Sequence, residues 1–120
     1  MEDYIIENNN ASLSVNIIKN YEKMINNKSV NFYTIEIIDH FLAKKWKLDK
    51  RYSEFKDFND EIVKLFPKCP KLPKSTTFLQ IFSYDTAETC GKNLEVYLKE
   101  CINRTDISNS AELKKFLQVQ

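Results

Sequence analysis

The stretch that decides how this chain is read is Lys50-Arg51-Tyr52-Ser53-Glu54-Phe55, followed by Pro70-Lys71-Leu72-Pro73-Lys74. Just before Arg51, residues 44–51 alternate around Trp46 and Leu48 with lysines between them, which predicts a strand. After Ser53, read as a helix N-cap, Phe55, Phe58, Ile62, Leu65 and Phe66 recur at helical spacing as far as Pro67. A planar cation and an aromatic ring therefore fall together where a strand gives way to a helix. Residues 67–77 hold all three prolines and cannot be regular structure, so the helix runs into a stiff loop carrying lysines.

Working outward, residues 13–21 read as a strand through Leu13, Val15 and Ile17, although Ile18 breaks the period. Residues 30–38 are rich in β-branched and aromatic side chains and form the strongest strand signal in the chain. A polar turn around Asn26-Asn27-Lys28 lies between them, and the short connections suggest an antiparallel meander. Beyond the loop, Leu94, Tyr97, Leu98, Cys101 and Ile102 mark a long helix over roughly 86–103. A last helix starts near 110, capped by Asn109 or Ser110, with Leu113, Phe116 and Leu117 facing inward. Strands followed by helices give the α+β class. Residues 1–12, with Asn8-Asn9-Asn10, read as a flexible tail, leaving 13–120 as a single domain.

Charge is more informative in its distribution than in its total of +1. Lys44, Lys45, Lys47, Lys50 and Arg51 against Asp49 leave one segment at +4, and Lys64, Lys68, Lys71 and Lys74 give another +4. If the two segments meet, one end of the molecule is basic and suits an anionic partner. The small net charge argues against a nucleic-acid binder. No window approaches the roughly 20 apolar residues of a membrane span, and no signal peptide is visible. Cys69, Cys90 and Cys101 form neither a paired framework nor a metal-ligand spacing, which favours a reducing, cytosolic compartment.

The order of these features resembles the phox-homology (PX) family. Arg-Tyr-Ser-Glu-Phe at 51–55 is similar to its basic-aromatic-x-acidic-Phe signature. Leu65-Phe66-Pro67 resembles the usual end of its first helix, Pro70-Lys71-Leu72-Pro73-Lys74 its proline loop, and Leu94-Glu95-Val96-Tyr97-Leu98 its second-helix signature. The resemblance implies a three-stranded antiparallel β-meander packed on a helical subdomain of three to four helices, with the proline-rich loop between the first two long helices. It implies a module that binds a phosphoinositide headgroup in an anionic membrane, most often phosphatidylinositol 3-phosphate. The module would be a cytoplasmic monomer held peripherally on endosomal or vacuolar membranes, sorting-nexin-like, with no cofactor. On that alignment Arg51 holds the 3-phosphate, Tyr52 offers its ring to the sugar, and Lys74 meets the 1-phosphate. Lys68, Lys71 and Leu72 are the membrane-contact candidates, with Leu72 open to the alternative of pinning the loop to the domain. Only Arg51 and Arg104 are arginines, and a guanidinium grips phosphate through two parallel hydrogen bonds where an ammonium cannot.

One position departs from the pattern. Where the family carries an arginine for the 4- and 5-hydroxyls, this chain has Cys90, which cannot supply a strong charged donor. Lys92 lies two residues on, at the wrong helical angle to inherit the role. Arg104 is too distant and reads as a helix C-terminal cation. That departure supports a second reading, a PX-like scaffold for protein contact with weakened or relaxed lipid binding. Phe78 is expected to pack inward, with Phe82 and Tyr84 less defined. Nothing points to an enzyme. His40 is the only histidine and reads as a turn residue, and Gly91 is the only glycine, which nearly excludes a phosphate-cradling nucleotide loop.

Overall fold

A computed structural model of the chain describes residues 12–74 and 86–120. Among them, β1 (Leu13–Ile25), β2 (Lys28–Asp39) and β3 (Lys44–Arg51) form one antiparallel sheet in the order β1-β2-β3. Four helices follow: α1 (Tyr52–Leu65), α2 (Thr86–Asn103), α3 (Thr105–Ser108) and α4 (Ala111–Leu117). The α+β meander expected from the sequence is the observed architecture. The tail over 1–11, and Phe78, Leu79, Ile81, Phe82 and Tyr84, lie outside the described residues.

The first two strands are longer than the alternation suggests. They continue to a two-residue tip at Asn26 and Asn27, whose φ angles of 51° and 64° are left-handed. A tight hairpin needs positive φ at both positions, and asparagine tolerates it better than other residues with a side chain. Ile18 breaks the period because the register slips between Ile17 and Lys19, leaving it as a bulge.

The core lies between one face of the sheet and the helices. Leu13, Val15, Tyr33, Ile35 and Ile37 meet Phe55, Phe58 and Ile62 of α1 and a continuous stripe of α2: Cys90, Leu94, Tyr97, Leu98, Cys101 and Ile102. Burying each large aliphatic of that stripe is worth about 1.5–3 kcal/mol. Phe116 of α4 sits 5.3 Å from the Phe55 ring, edge-on, and 4.7 Å from Phe58, stacked. Hydrogen bonds then fix how the layers sit. Trp46 Nε1–H donates to the Leu117 carbonyl at 2.8 Å, tying β3 to α4. Tyr97 Oη–H donates to Asn59 at 2.8 Å, tying α2 to α1. The Ile17 N–H, on the outer edge of β1, donates to the Glu95 carboxylate at 2.6 Å.

Three local expectations need adjustment. Ser53 is not the cap of α1, because the helix starts earlier and Arg51 holds the N-cap position. The Glu54 carboxylate reaches back to accept the Arg51 N–H at 3.0 Å, as the N3 acid of a capping box does. Leu65 is 55% exposed, since the chain turns extended at Phe66 and it is Phe66 that packs against the core. At α4, where the sequence left two caps open, Ser110 is the one used, its hydroxyl accepting the Leu113 N–H at 3.1 Å. His40 is an exposed turn residue, its Nε2 2.6 Å from Ser14 Oγ.

Gly91 of α2 faces Tyr33 and Ile17 of the sheet. A Cβ built on it would meet the Tyr33 ring at 3.4 Å, at the limit of ordinary contact. A branched side chain does not fit there. Gly91→Val is therefore expected to destabilise the fold by about 1–3 kcal/mol, the range for overpacking, read as a lower urea midpoint.

Candidate functional site

β3 passes into α1 with no residue between them, and this junction sets the geometry of the basic end. Neighbours on a strand face opposite ways. Lys50 turns toward the helices, its Nζ 5.0 Å from the centre of the Phe116 ring and 3.8 Å from Glu54. Arg51, half-buried, stands opposite Phe32 and faces the other way. Lys50 thus belongs to the packing, and Arg51 is the cation left at the end of the strand. The first turn of α1 begins at Tyr52, so the positive end of a 14-residue helix adds to the attraction for an anion there.

Tyr52 brings in the proline loop. Its hydroxyl donates to the Pro73 carbonyl at 2.7 Å, which ties the loop just before Lys74 to the tyrosine side chain. Burial pushes the Tyr52 hydroxyl above its ordinary pKa, with the nearby Cys90 adding to the shift. Cys90 lies under the same loop: fully buried on α2, with its Sγ 3.8 Å from the Lys74 carbonyl. Burial raises the Cys90 thiol, and a hydrogen bond with Tyr33 opposes the rise. The side chain at this position is therefore neutral and enclosed, in contact with the residues that carry the site. Lys92 is turned away into solvent, 3.8 Å from Glu88.

The other end of the loop is held by Arg104. Its Nη1 donates to the carbonyls of Pro67 at 3.2 Å and Lys68 at 2.8 Å. Asp106 grips the same guanidinium through Nε at 3.0 Å and Nη2 at 2.6 Å. Reading Arg104 as a cation serving its own helix end misses this. It serves the carbonyls just past α1, where Lys68 takes a left-handed φ of 51°. Only a long-range contact reveals the role, because 36 residues separate Arg104 from Lys68. Between the two anchors Cys69 and Leu72 pack against the core, while Lys68 and Lys71 are exposed.

The Tyr52–Pro73 hydrogen bond thus ties the loop that carries Lys68, Lys71, Leu72 and Lys74 to the start of the helix that follows Arg51. The +4 of β3 is not all delivered to this end. Lys45 pairs with Glu36 at 3.9 Å, and Lys44 lies at the far end of the strand. A cleft of about 240 Å³ beneath Lys50 is lined by Glu54, Asp57, Glu61 and Glu112 as well as Lys115, the wrong sign for a phosphate. Among the described residues no helix is long and apolar enough to cross a membrane. No group of three or more His, Cys, Asp or Glu among them could hold a metal.

Comparison with known proteins matches residues 38–120 to the PX domain family model. A probable serine/threonine-protein kinase of Dictyostelium discoideum is 30% identical over 90 residues, covering 73% of this chain and 4% of that protein. Sorting nexin-41 of Candida albicans is 41% identical over 73 residues, covering 59% of the chain and 10% of that protein. The chain thus spans a tenth or less of either relative's length. Among solved structures, a designed CISK-PX domain superposes with a TM-score of 0.77 at 20% identity, covering 88% of this chain and 99% of its own. The mouse SNX19 PX domain, solved with bound sulphate ion, gives 0.67 at 20% identity, covering 90% and 97%.

Two outcomes check this geometry. Arg104→Ala is expected to speed tryptic cleavage after Lys68 and Lys71, while Lys92→Ala leaves the rate unchanged. Burial holds the Cys101 thiol up to about 12 and raises Cys90, so both stay protonated at neutral pH. Of the three cysteines, only the half-buried Cys69 is expected to react with a thiol reagent before unfolding, as mass spectrometry of the labelled peptides would show.

Proposed function

The chain belongs to the PX domain family, whose members are lipid-binding modules for phosphoinositide headgroups at membranes, and on that premise we propose that it binds phosphatidylinositol 3-phosphate and targets endosomal or vacuolar membranes. Arg51 takes the 3-phosphate through two hydrogen bonds, Tyr52 provides an aromatic floor, and Lys74 takes the 1-phosphate. The observation that supports the reading is the Tyr52–Pro73 hydrogen bond, which holds the residue before Lys74 against the tyrosine that follows Arg51. Lys68 and Lys71 add diffuse attraction to an anionic leaflet, about 1 kcal/mol each close to the surface. Leu72, packed against the core, holds the loop that presents them. The domain acts as a monomer at the cytoplasmic surface and recruits itself, or what is attached to it, without catalysis.

Cys90 favours a second reading, in which the same scaffold serves protein contact and headgroup selectivity is relaxed. A buried neutral thiol offers no charged donor to hydroxyls on the far side of an inositol ring.

Cosedimentation with vesicles carrying mono-, bis- or trisphosphorylated inositides separates the two. Selective binding to the 3-phosphate lipid is expected, with Arg51→Ala losing at least about 2 kcal/mol, some thirtyfold in affinity. Lys74→Ala is expected to lose less, because an ammonium makes a single point contact. Equal binding to every anionic lipid, or none, would favour the protein-contact reading.

A further inference from the structure

The loop from Lys68 to Lys74 is tied to α2 near both of its ends. At the root, Arg104, the residue after the helix, donates from Nη1 to the Pro67 and Lys68 carbonyls at 3.2 and 2.8 Å. At the other end, the Sγ of Cys90 in the second turn of α2 lies 3.8 Å from the Lys74 carbonyl. An α-helix rises about 1.5 Å per residue, so Cys90 and Asn103 stand about 20 Å apart. The chain from Lys68 to Lys74 spans at most about 20–22 Å when fully extended. The loop therefore runs back along α2 nearly straight, with little slack. Pro70 and Pro73 fix φ within it, and Cys69 and Leu72 are packed against the core.

The hold at the root depends on the shape of one side chain. A guanidinium is planar, with its N–H donors in a fixed fork. Arg104 turns Nε and Nη2 to the Asp106 carboxylate, at 3.0 and 2.6 Å, and that grip aims Nη1 at the two carbonyls. Asp106 is itself fixed, its Oδ1 accepting the Ile107 N–H at 2.8 Å in the short helix α3. The two side chains stay 30% and 45% exposed, so the pair ties the loop without filling the core.

We propose that Arg104, oriented by Asp106, is a positioning residue for headgroup binding, an inference that rests on the reading of Arg51, Tyr52 and Lys74 given above. Arg104 touches no ligand in this role. It holds the root of a loop that has no slack, so that Lys74 meets the phosphate already in place. A loop held in its bound form has less ordering left to do on binding, and that saving appears as affinity. Freeing the root gives the whole span slack as far as Lys74, while Arg51 stays fixed on β3. The guanidinium thus serves the anion through backbone carbonyls and not through its own charge.

The test titrates soluble inositol 1,3-bisphosphate into the whole chain by calorimetry, at a temperature where circular dichroism shows every variant folded. Arg104→Lys keeps the charge but loses the fork, and is expected to weaken binding about tenfold. Asp106→Asn separates position from charge. It removes a negative charge, so electrostatics alone would tighten the binding of an anion, whereas a loosened Arg104 weakens it about threefold. In a Lys74→Ala background, Arg104→Lys is expected to cost no further affinity, since the group it positions is gone. A change of stability alone would move neither of these last two readouts. If the wild type binds and Arg104→Lys binds equally well, this inference is overturned and the headgroup reading stands. Tighter binding by Asp106→Asn, or the same loss from Arg104→Lys with and without Lys74, overturns it too. A wild type that ignores the bisphosphate sinks the headgroup reading, and this inference falls with it.

Discussion

The junction at Arg51 and Tyr52 constrains everything around it. A strand that becomes a helix with no connecting residue has no freedom to choose where its last side chains point. The pleat sends Lys50 inward over Phe116 and leaves Arg51 on the opposite side, and the helix turns Tyr52 toward the loop. The Glu54 carboxylate completes the turn by accepting the Arg51 amide while it also faces Lys50. One acidic residue thereby satisfies the start of the helix and neutralises the lysine, and the guanidinium is spared both duties. Substituting Glu54 would disturb all three at once.

From that junction the loop becomes a strap with two buckles. Arg104 holds the carbonyls at its root, and Tyr52 holds Pro73 at its end. Proline removes backbone freedom between them, so the loop is held with little freedom left. Cys69 and Leu72 seat the middle on the core and leave the lysines outward. The two arginines of the chain therefore have different tasks. One meets backbone carbonyls that need a donor, and the other is kept at the end of a strand where an anion can approach.

At position 90 a small side chain keeps the packing of the scaffold. A small buried thiol fills the space under Lys74 and packs with Tyr33 and α2, so the fold loses nothing there. What it removes is a charged donor. The close approach of α2 at Gly91 depends on the same neighbour, Tyr33. Two adjacent residues of one helix thus pack on the same ring.

Much of this was legible in the chain itself, because local physics fixes it. Alternation marked three strands, and helical spacing picked out Phe55, Phe58 and Ile62 and the Leu94–Ile102 stripe before any contact was known. The Arg-Tyr pair announced its junction by the change of period around it. Other features depend on residues far apart in sequence, and no local pattern encodes them. The span of 36 residues between Arg104 and Lys68 hid a loop anchor behind an ordinary helix-end cation. By contrast, the reach of Glu54 to Arg51 is local, three residues back, and reading Ser53 as the cap overlooked it, while the bulge at Ile18 was visible as a broken period. The sequence by itself determined the elements and the cations available to a phosphate. Tertiary structure alone decided which of those cations face solvent, which stack on rings and which hold backbone, because that depends on what each meets across the fold.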